Sequence, residues 1–265
     1  MPEPRCAIVT GASSGIGRAV AVEFGHLGWH VALGARRLDR LEETASEVAA
    51  AGGHGLALSL DVQDEESIGA FFAGAEAALG PVDVLVNNAG VATPGWLHEL
   101  PAAALRRDVL TNLLGPLLLS RLAVGSLRAR DAAGDLVFIT SDATRHPRPR
   151  MAPYTAAKAG IEAFAQSLAL ELEGTGIRTT TVRVGPTLTE FGFGWPMDEL
   201  EDLMAYWPRF GLQRHAGMLE PSAVARAVAT AVTMPPGVLV DTIEVQPEAP
   251  VGDAGPATII DRPAE

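Results

Sequence analysis

An α/β protein is predicted, with a central parallel seven-stranded sheet flanked by helices in doubly wound order. Three observations predict it. Short runs rich in β-branched residues are apolar along their whole length, as strands buried on both faces are. From residue 6 onward these runs alternate regularly with stretches of helical spacing. A glycine-rich turn joins the first strand to the first helix.

CAIVT (6–10) is the first strand and ends in TGASSGIG; RAVAVEFGHLG (18–28) has helical spacing and stops at Gly28. WHVALGA (29–35) reads as the second strand, and LDRLEETASEVAAAGG (38–53) as an amphipathic helix closed by glycines. HGLALSLDV (54–62) is the third strand, followed by a helix over 65–80. VDVLVNNAG (82–90) is the fourth strand, apolar on both faces. A long helical stretch over 103–130 is expected to bend or loosen near Gly115 and Pro116, because proline lacks the N–H that a helix needs. GDLVFITS (134–141), the helix from Tyr154 to 176, and IRTTTVRVGP (177–186) continue the alternation. A mixed segment precedes a helix over 221–235 and a last strand, VLVDTIEVQP (238–247).

The chain has 265 residues, enough for one large core, and shows no internal repeat and no linker. Residues 1–247 are therefore read as a single domain, and 248–265, rich in Pro and Gly and acidic, as a C-terminal extension. The formal net charge of −12 argues against nonspecific nucleic-acid or anionic-membrane partners, which need a basic face. One cysteine, Cys6, permits no intramolecular disulfide and no cysteine metal cluster, so no metal site is expected. The N-terminus reaches its glycine turn too soon for a signal peptide, and no stretch holds the ~18 uninterrupted apolar residues of a membrane helix. The expected location is the cytoplasm.

The turn TGASSGIGRAV places glycines at Gly11, Gly15 and Gly17. Small residues let backbone approach a pyrophosphate, and the N-terminus of the following helix offers free N–H groups and a positive dipole end. The same glycines also suit plain tight packing of strand on helix. With the alternation, the turn makes the fold Rossmann-type, a dinucleotide-binding domain.

Composition isolates a few residues. Lys158 is the only lysine, asparagine occurs at Asn87, Asn88 and Asn112 alone, and tyrosine at Tyr154 and Tyr206. All three asparagines, the lysine and one tyrosine fall in motifs. TGASSGIG, then NNAG at 87–90, then Asn112, then Ser141, then YTAAK at 154–158 resembles the classical short-chain dehydrogenase/reductase family, in its order and at its spacings, from about residue 5 to 247.

Tyr154 and Lys158 are four apart on a helix and share one face. A nearby ammonium favours phenolate, so the tyrosine pKa is expected to fall below its usual value of about 10. The resemblance implies that Tyr154 exchanges a proton with the substrate oxygen and that Ser141 orients that oxygen. It also implies that Lys158 binds the nicotinamide ribose and tunes Tyr154, and that Asn112 holds a water in a proton relay to Lys158. No metal is needed.

For the cofactor, the resemblance implies contacts from Gly11, Ser13, Ser14, Gly15, Ile16 and Gly17 in the turn, with Asn88, Ala89 and Gly90 along the adenosine ribose. Asp61 and Val62 would lie at the adenine, and Tyr154 and Lys158 at the nicotinamide ribose. Pro186, Thr187 and Thr189 would reach the carboxamide and phosphates, although Val184 stands where the family usually has the proline of a Pro-Gly pair. Asn88 also suits a tie between strands, and Asp61 a loop or helix-cap aspartate. Ala35 occupies the position where an Asp or Glu marks NAD binding, and Arg36 follows. A guanidinium matches a phosphate by charge-assisted, bidentate hydrogen bonds. NADP(H) is thus the expected cofactor, with NAD(H) the alternative. Arg36 is expected to read the 2′-phosphate, Arg37 to help.

Six of the fourteen aromatic residues, Phe191, Phe193, Trp195, Tyr206, Trp207 and Phe210, fall within residues 191–210. In the family this region is a substrate lid, here about 187–220, and the cluster suits an apolar or bulky carbonyl or alcohol substrate. The apolar faces of LLGPLLLSRLAVGSL and AGIEAFAQSLALEL imply by the same resemblance a homo-oligomer, a tetramer or else a dimer. The expected activity is NADP(H)-dependent oxidoreduction of a carbonyl/alcohol pair. A cofactor-binding sensor that has lost catalysis is the alternative, and the intact tyrosine and lysine weigh against it.

Overall fold

The computed structural model describes residues 4–195, 197–209, 212 and 217–249. Phe210 and all but the first two residues of the 248–265 extension lie outside them. Seven strands form one sheet: β1 (Cys6–Thr10), β2 (His30–Ala35), β3 (His54–Ser59), β4 (Val84–Asn87), β5 (Gly134–Ser141), β6 (Ile177–Val184) and β7 (Thr242–Val245). Their order is β3-β2-β1-β4-β5-β6-β7 and every neighbouring pair is parallel. The chain winds outward from β1 to β3, then returns to lay β4 on the other side of β1. That reversal opens a crevice at the carboxyl ends of β1 and β4.

Strand side chains alternate between two cores. Val9, Leu33, Val86 and Val137 pack with Val20 and Phe24 of α1 (Gly15–His26), with Leu41 and Val48 of α2 (Leu38–Ala50), and with residues of the 221–232 helix. Ile8, Leu85, Leu136 and Phe138 face the other way, onto Phe71 and Phe72 of α3 (Glu65–Leu79) and onto the helices over 115–129 and 152–171. Strands apolar on both sides are what a sheet covered on both faces requires.

Helix α4 (Ala102–Val109) runs without a break through a π turn, Leu110–Leu114, into α5 (Gly115–Ala129). The expected loosening thus falls just before Gly115. There the Gly115 N–H reaches back to the Leu110 carbonyl, and Pro116 has no N–H for the carbonyl of Asn112. The run 102–129 is long and apolar enough by composition to cross a membrane. Its buried stripe, Leu119, Ala123 and Leu127, lies in the core against the sheet.

Several boundaries differ from those read in the sequence, for local reasons. Helix α1 starts at Gly15 rather than 18, because Ser14 is already extended and serves as its N-cap. Strand β3 ends at Ser59 rather than 62, since Asp61 turns its carboxylate onto the Gln63 N–H and gives its own N–H to Ser67. Helix α6 (Ala152–Glu171) begins ahead of Tyr154, with Pro153 in the first turn, where a missing N–H costs nothing. The segment read as mixed contains α7 (Met197–Arg209), before α8 (Pro221–Val232). Strand β7 is shorter than 238–247 because the Val238 N–H closes a turn onto Pro235 and Arg178 takes the Val238 carbonyl.

Candidate dinucleotide and catalytic site

The carboxyl ends of the central strands open into a cleft of about 2290 Å³. It runs from the glycine turn past Asp61 and Val62, over Asn88, Ala89 and Gly90, to Ser141, Tyr154 and Lys158, and under residues 184–195. The structure thus lines one crevice with residues scattered over the sequence.

The floor is tied together by Thr10. Its hydroxyl accepts the N–H groups of Asn88 and Ala89 at 3.0 Å each and donates to the Val86 carbonyl. The Asn88 amide donates to the Thr10 carbonyl at 2.8 Å, so the strand-tying reading of this asparagine holds. Gly17 is required by packing: a Cβ there would sit 2.4 Å from the Gly11 carbonyl oxygen. Gly11 has φ +66° and lies against the Ala89 backbone, so tight packing and access coexist in this turn. Gly15 and Ile16 begin α1, whose first turn holds no acidic residue and whose cap Ser14 makes no side-chain bond to it. The amide end of α1 therefore faces the cleft unneutralised.

At the far end Tyr154 and Lys158 lie in the first two turns of α6, both buried. The lysine Nζ is 5.9 Å from the Tyr154 ring centre and donates to the Ile139 carbonyl at 2.8 Å. Burial brings the ammonium down to about 8, with the Glu162 carboxylate opposing the fall. Burial also raises the Tyr154 phenol; the Ser141 hydroxyl, by hydrogen bonding, and the Arg148 charge pull it down less strongly. This corrects the expectation of a lowered tyrosine: in the protein without cofactor, desolvation outweighs its neighbours. The Ser141 hydroxyl accepts the Ala143 N–H at 3.1 Å, which fixes it at the end of β5.

Asn112 occupies the π turn. Its side chain accepts the Val91 N–H and donates to the carbonyls of Val91 and Asp108. It pins the loop after β4, with its carboxamide oxygen beside Gly90, and does not point a free amide at Lys158.

At the rim the structure places both arginines on the cleft lining. Arg37 donates to the hydroxyls of Ser13 and Ser14 at 3.0 and 2.9 Å and pairs with Glu190 at 2.8 Å. Arg36 lines the cleft too, but it is Arg37 whose extended backbone ahead of α2 aims its side chain at the glycine turn. Ala35 leaves no carboxylate at the strand end. A guanidinium flanked by two hydroxyls, beside a helix N-terminus, has the donor chemistry that a dinucleotide phosphate requires.

Segment 186–195 crosses the cleft. The Pro186 carbonyl accepts the Leu219 N–H, Thr187 donates to Gly185, and the Thr189 side chain lies over Gly15. Phe191 stacks near Tyr154 at 5.6 Å and near Trp195, whose indole N–H donates to the Ala92 carbonyl. Phe193 is exposed, and Tyr206 packs edge-on against Trp96. Sequence reasoning missed Arg148 and Asp142, which form a bidentate pair at 2.8 and 2.7 Å beside Ser141. The signal was present: TRHPRPR (144–150) places three arginines between Ser141 and Tyr154 in an acidic chain.

Crevices of this build serve dinucleotide-dependent oxidoreductases, and the fold and cluster put the protein in that class. Its sequence is more specific. The chain belongs to the short-chain dehydrogenase family, whose profile matches residues 5–197. It is 37% identical over 243 residues to the glycine betaine reductase ATRR of Emericella nidulans, covering 92% of this chain but 19% of that protein. It is 38% identical over 193 residues to a short chain dehydrogenase of Pseudocercospora fijiensis, covering 71% of this chain and 61% of that one. The cis-4-hydroxycyclohexanecarboxylate dehydrogenase of Sinomonas cyclohexanicum is 35% identical, with 85% and 88% covered. Among solved structures, a metagenomic short-chain oxidoreductase in complex with NADP superposes with TM-score 0.76 at 32% identity, over 93% of this chain and 98% of that one. The alcohol dehydrogenase of Thermococcus sibiricus, complexed with 5-hydroxy-NADP, gives 0.78 at 30% identity, over 92% and 96%. The chain thus spans 19% and 61% of the length of the first two of these relatives.

Proposed function

We propose that the protein interconverts a small carbonyl compound and its alcohol with NADP(H), Tyr154 acting as general acid and base. The observation that carries this is the convergence of Ser141, Tyr154 and Lys158 at the end of a cleft that begins at Arg37 and the α1 N-terminus. When bound, the nicotinamide supplies or accepts the hydride. Ser141 hydrogen-bonds the substrate oxygen and holds it against the phenol. A phenol raised by burial remains protonated at neutral pH and donates that proton as the oxygen gains charge. Lys158, close to half-charged near pH 8, returns the proton to Tyr154 and holds the ribose hydroxyls. Asn112 fixes the loop over which the ribose lies. Arg37, Ser13 and Ser14 bind the 2′-phosphate, with Arg36 assisting, while Thr187 and Thr189 cover the pyrophosphate.

Tyr154→Phe keeps the fold and loses about 100- to 10,000-fold in kcat, the usual weight of a positioned acid. The test is reduced-nicotinamide absorbance with a panel of ketones and alcohols, alongside circular dichroism. Wild-type rates in the folded variant would overturn the assignment. The described parts of the expected lid include 187–195 and α7, and the chain's carbonyl or alcohol substrate lies between them and Ser141.

A further inference from the structure

Beside Ser141 the cleft contains a polar pair to which the chemistry above gives no contact with substrate. Arg148 follows Ser141 by seven residues, and both Arg148 and its partner Asp142 have only 9% of their side chains exposed. Asp142 takes the end of the guanidinium, accepting from Nη1 and Nη2. A guanidinium carries a second fork, along its Nε edge. That Nε–H is buried and has no hydrogen-bond partner. The indole of Trp207 stacks on the same guanidinium, 5.1 Å from ring centre to carbon, and its Nε1–H is likewise buried and unpartnered.

Two buried donors left unmatched on stacked side chains are costly, and native proteins seldom leave such groups without a reason. Both belong to side chains that line the cleft holding Ser141 and Tyr154. A group with two acceptor oxygens answers two such donors, and a carboxylate fits the open fork of an arginine.

We infer that Arg148 and Trp207 form the receptor for a carboxylate carried by the substrate, so that the protein acts on oxo- or hydroxy-carboxylates rather than on neutral ketones. Asp142 holds the Nη1 and Nη2 ends of the guanidinium and leaves its buried Nε edge for the substrate carboxylate. The inference rests on the carbonyl/alcohol reading above.

The test compares 4-oxocyclohexanecarboxylate with its methyl ester, using NADPH and wild-type protein, Arg148→Gln, Arg148→Lys and Trp207→Phe, each checked for folding by circular dichroism. Wild type favours the acid over the ester in kcat/KM by about 10- to 100-fold, the weight of a hydrogen-bonded charge. Arg148→Gln brings that ratio near unity through the KM of the acid, and Arg148→Lys and Trp207→Phe reduce it less. Equal use of acid and ester by wild type, or an acid/ester ratio that survives Arg148→Gln, overturns the inference and leaves the carbonyl chemistry standing. If neither compound turns over, calorimetric titration with benzoate and benzamide decides. Benzoate binding that is selective over benzamide and lost in Arg148→Gln supports the receptor while the carbonyl reading fails. Absent or unselective binding overturns the receptor as well.

Discussion

Lys158 is a buried cation whose proton is held less tightly than in the unfolded chain, since burial brings it from 10.5 to about 8. Below about 8 both states are protonated and the folded state bears the full cost of a buried charge. Between about 8 and 10.5 the unfolded chain binds more protons, so this residue makes the protein more stable as pH rises. Lys158→Met should therefore melt above wild type at neutral pH, and its advantage should shrink as pH passes well beyond 8. A constant difference in melting temperature would show that burial of the charge is not felt. At the cofactor end, Arg37→Ala should cut the NADPH/NADH ratio of kcat/KM by about tenfold or more, and Arg36→Ala by less. An unchanged ratio in Arg37→Ala would remove that residue from phosphate recognition. The contacts of Arg37 with Ser13, Ser14 and Glu190 were not legible in ARR, because they join residues far apart in sequence. Tyr154 and Lys158, by contrast, were legible from one spacing, because four residues on a helix share a face wherever the helix begins.

At the scale of elements, the π turn is the clearest departure from ideal geometry. It places Asn112 so that two bonds to Val91 hold the loop after β4 and a third ties the side chain to Asp108 of α4, and it ends just before Pro116, which has no N–H to donate. Pro116→Ala restores the donor and favours a regular helix, so its melting temperature should hold or rise. Activity should fall by about 10- to 100-fold as Asn112 rotates out of register with Val91. Full activity in a more stable variant would show that the turn is incidental. Proline and glycine in sequence marked the place, while the kind of irregularity depends on hydrogen bonds between residues five apart that no periodicity reports. The central strands were legible because apolar runs such as β1 and β4, buried at every residue, can only be covered on both faces. The ends of the outer strands were not, because side chains such as Asp61, Ser67 and Arg178 divert the backbone bonds there.

Across the whole molecule, apolar side chains remain on the outer surfaces of the 102–129 run and α6: Val109, Leu114 and, at 70% exposure, Leu170. We propose that these faces join subunits into a homo-oligomer, a tetramer or else a dimer. Light scattering at micromolar concentration should give a multiple of 27.6 kDa, and Leu170→Arg should lower it; a wild-type monomer would refute assembly. The ion pair between Arg37 and Glu190 has a consequence of its own, because it spans the mouth of the cleft from the second strand to the lid segment. On the proposed reading, a phosphate that binds Arg37 meets a cation that already has a partner and competes with it. Both groups are well exposed, so the pair is worth at most about 1 kcal/mol and its eviction weakens binding by no more than about fivefold. Glu190 thus behaves as a resident competitor, present at fixed effective concentration and the same for every molecule, which sets a floor under the cofactor concentration at which the mouth is taken over.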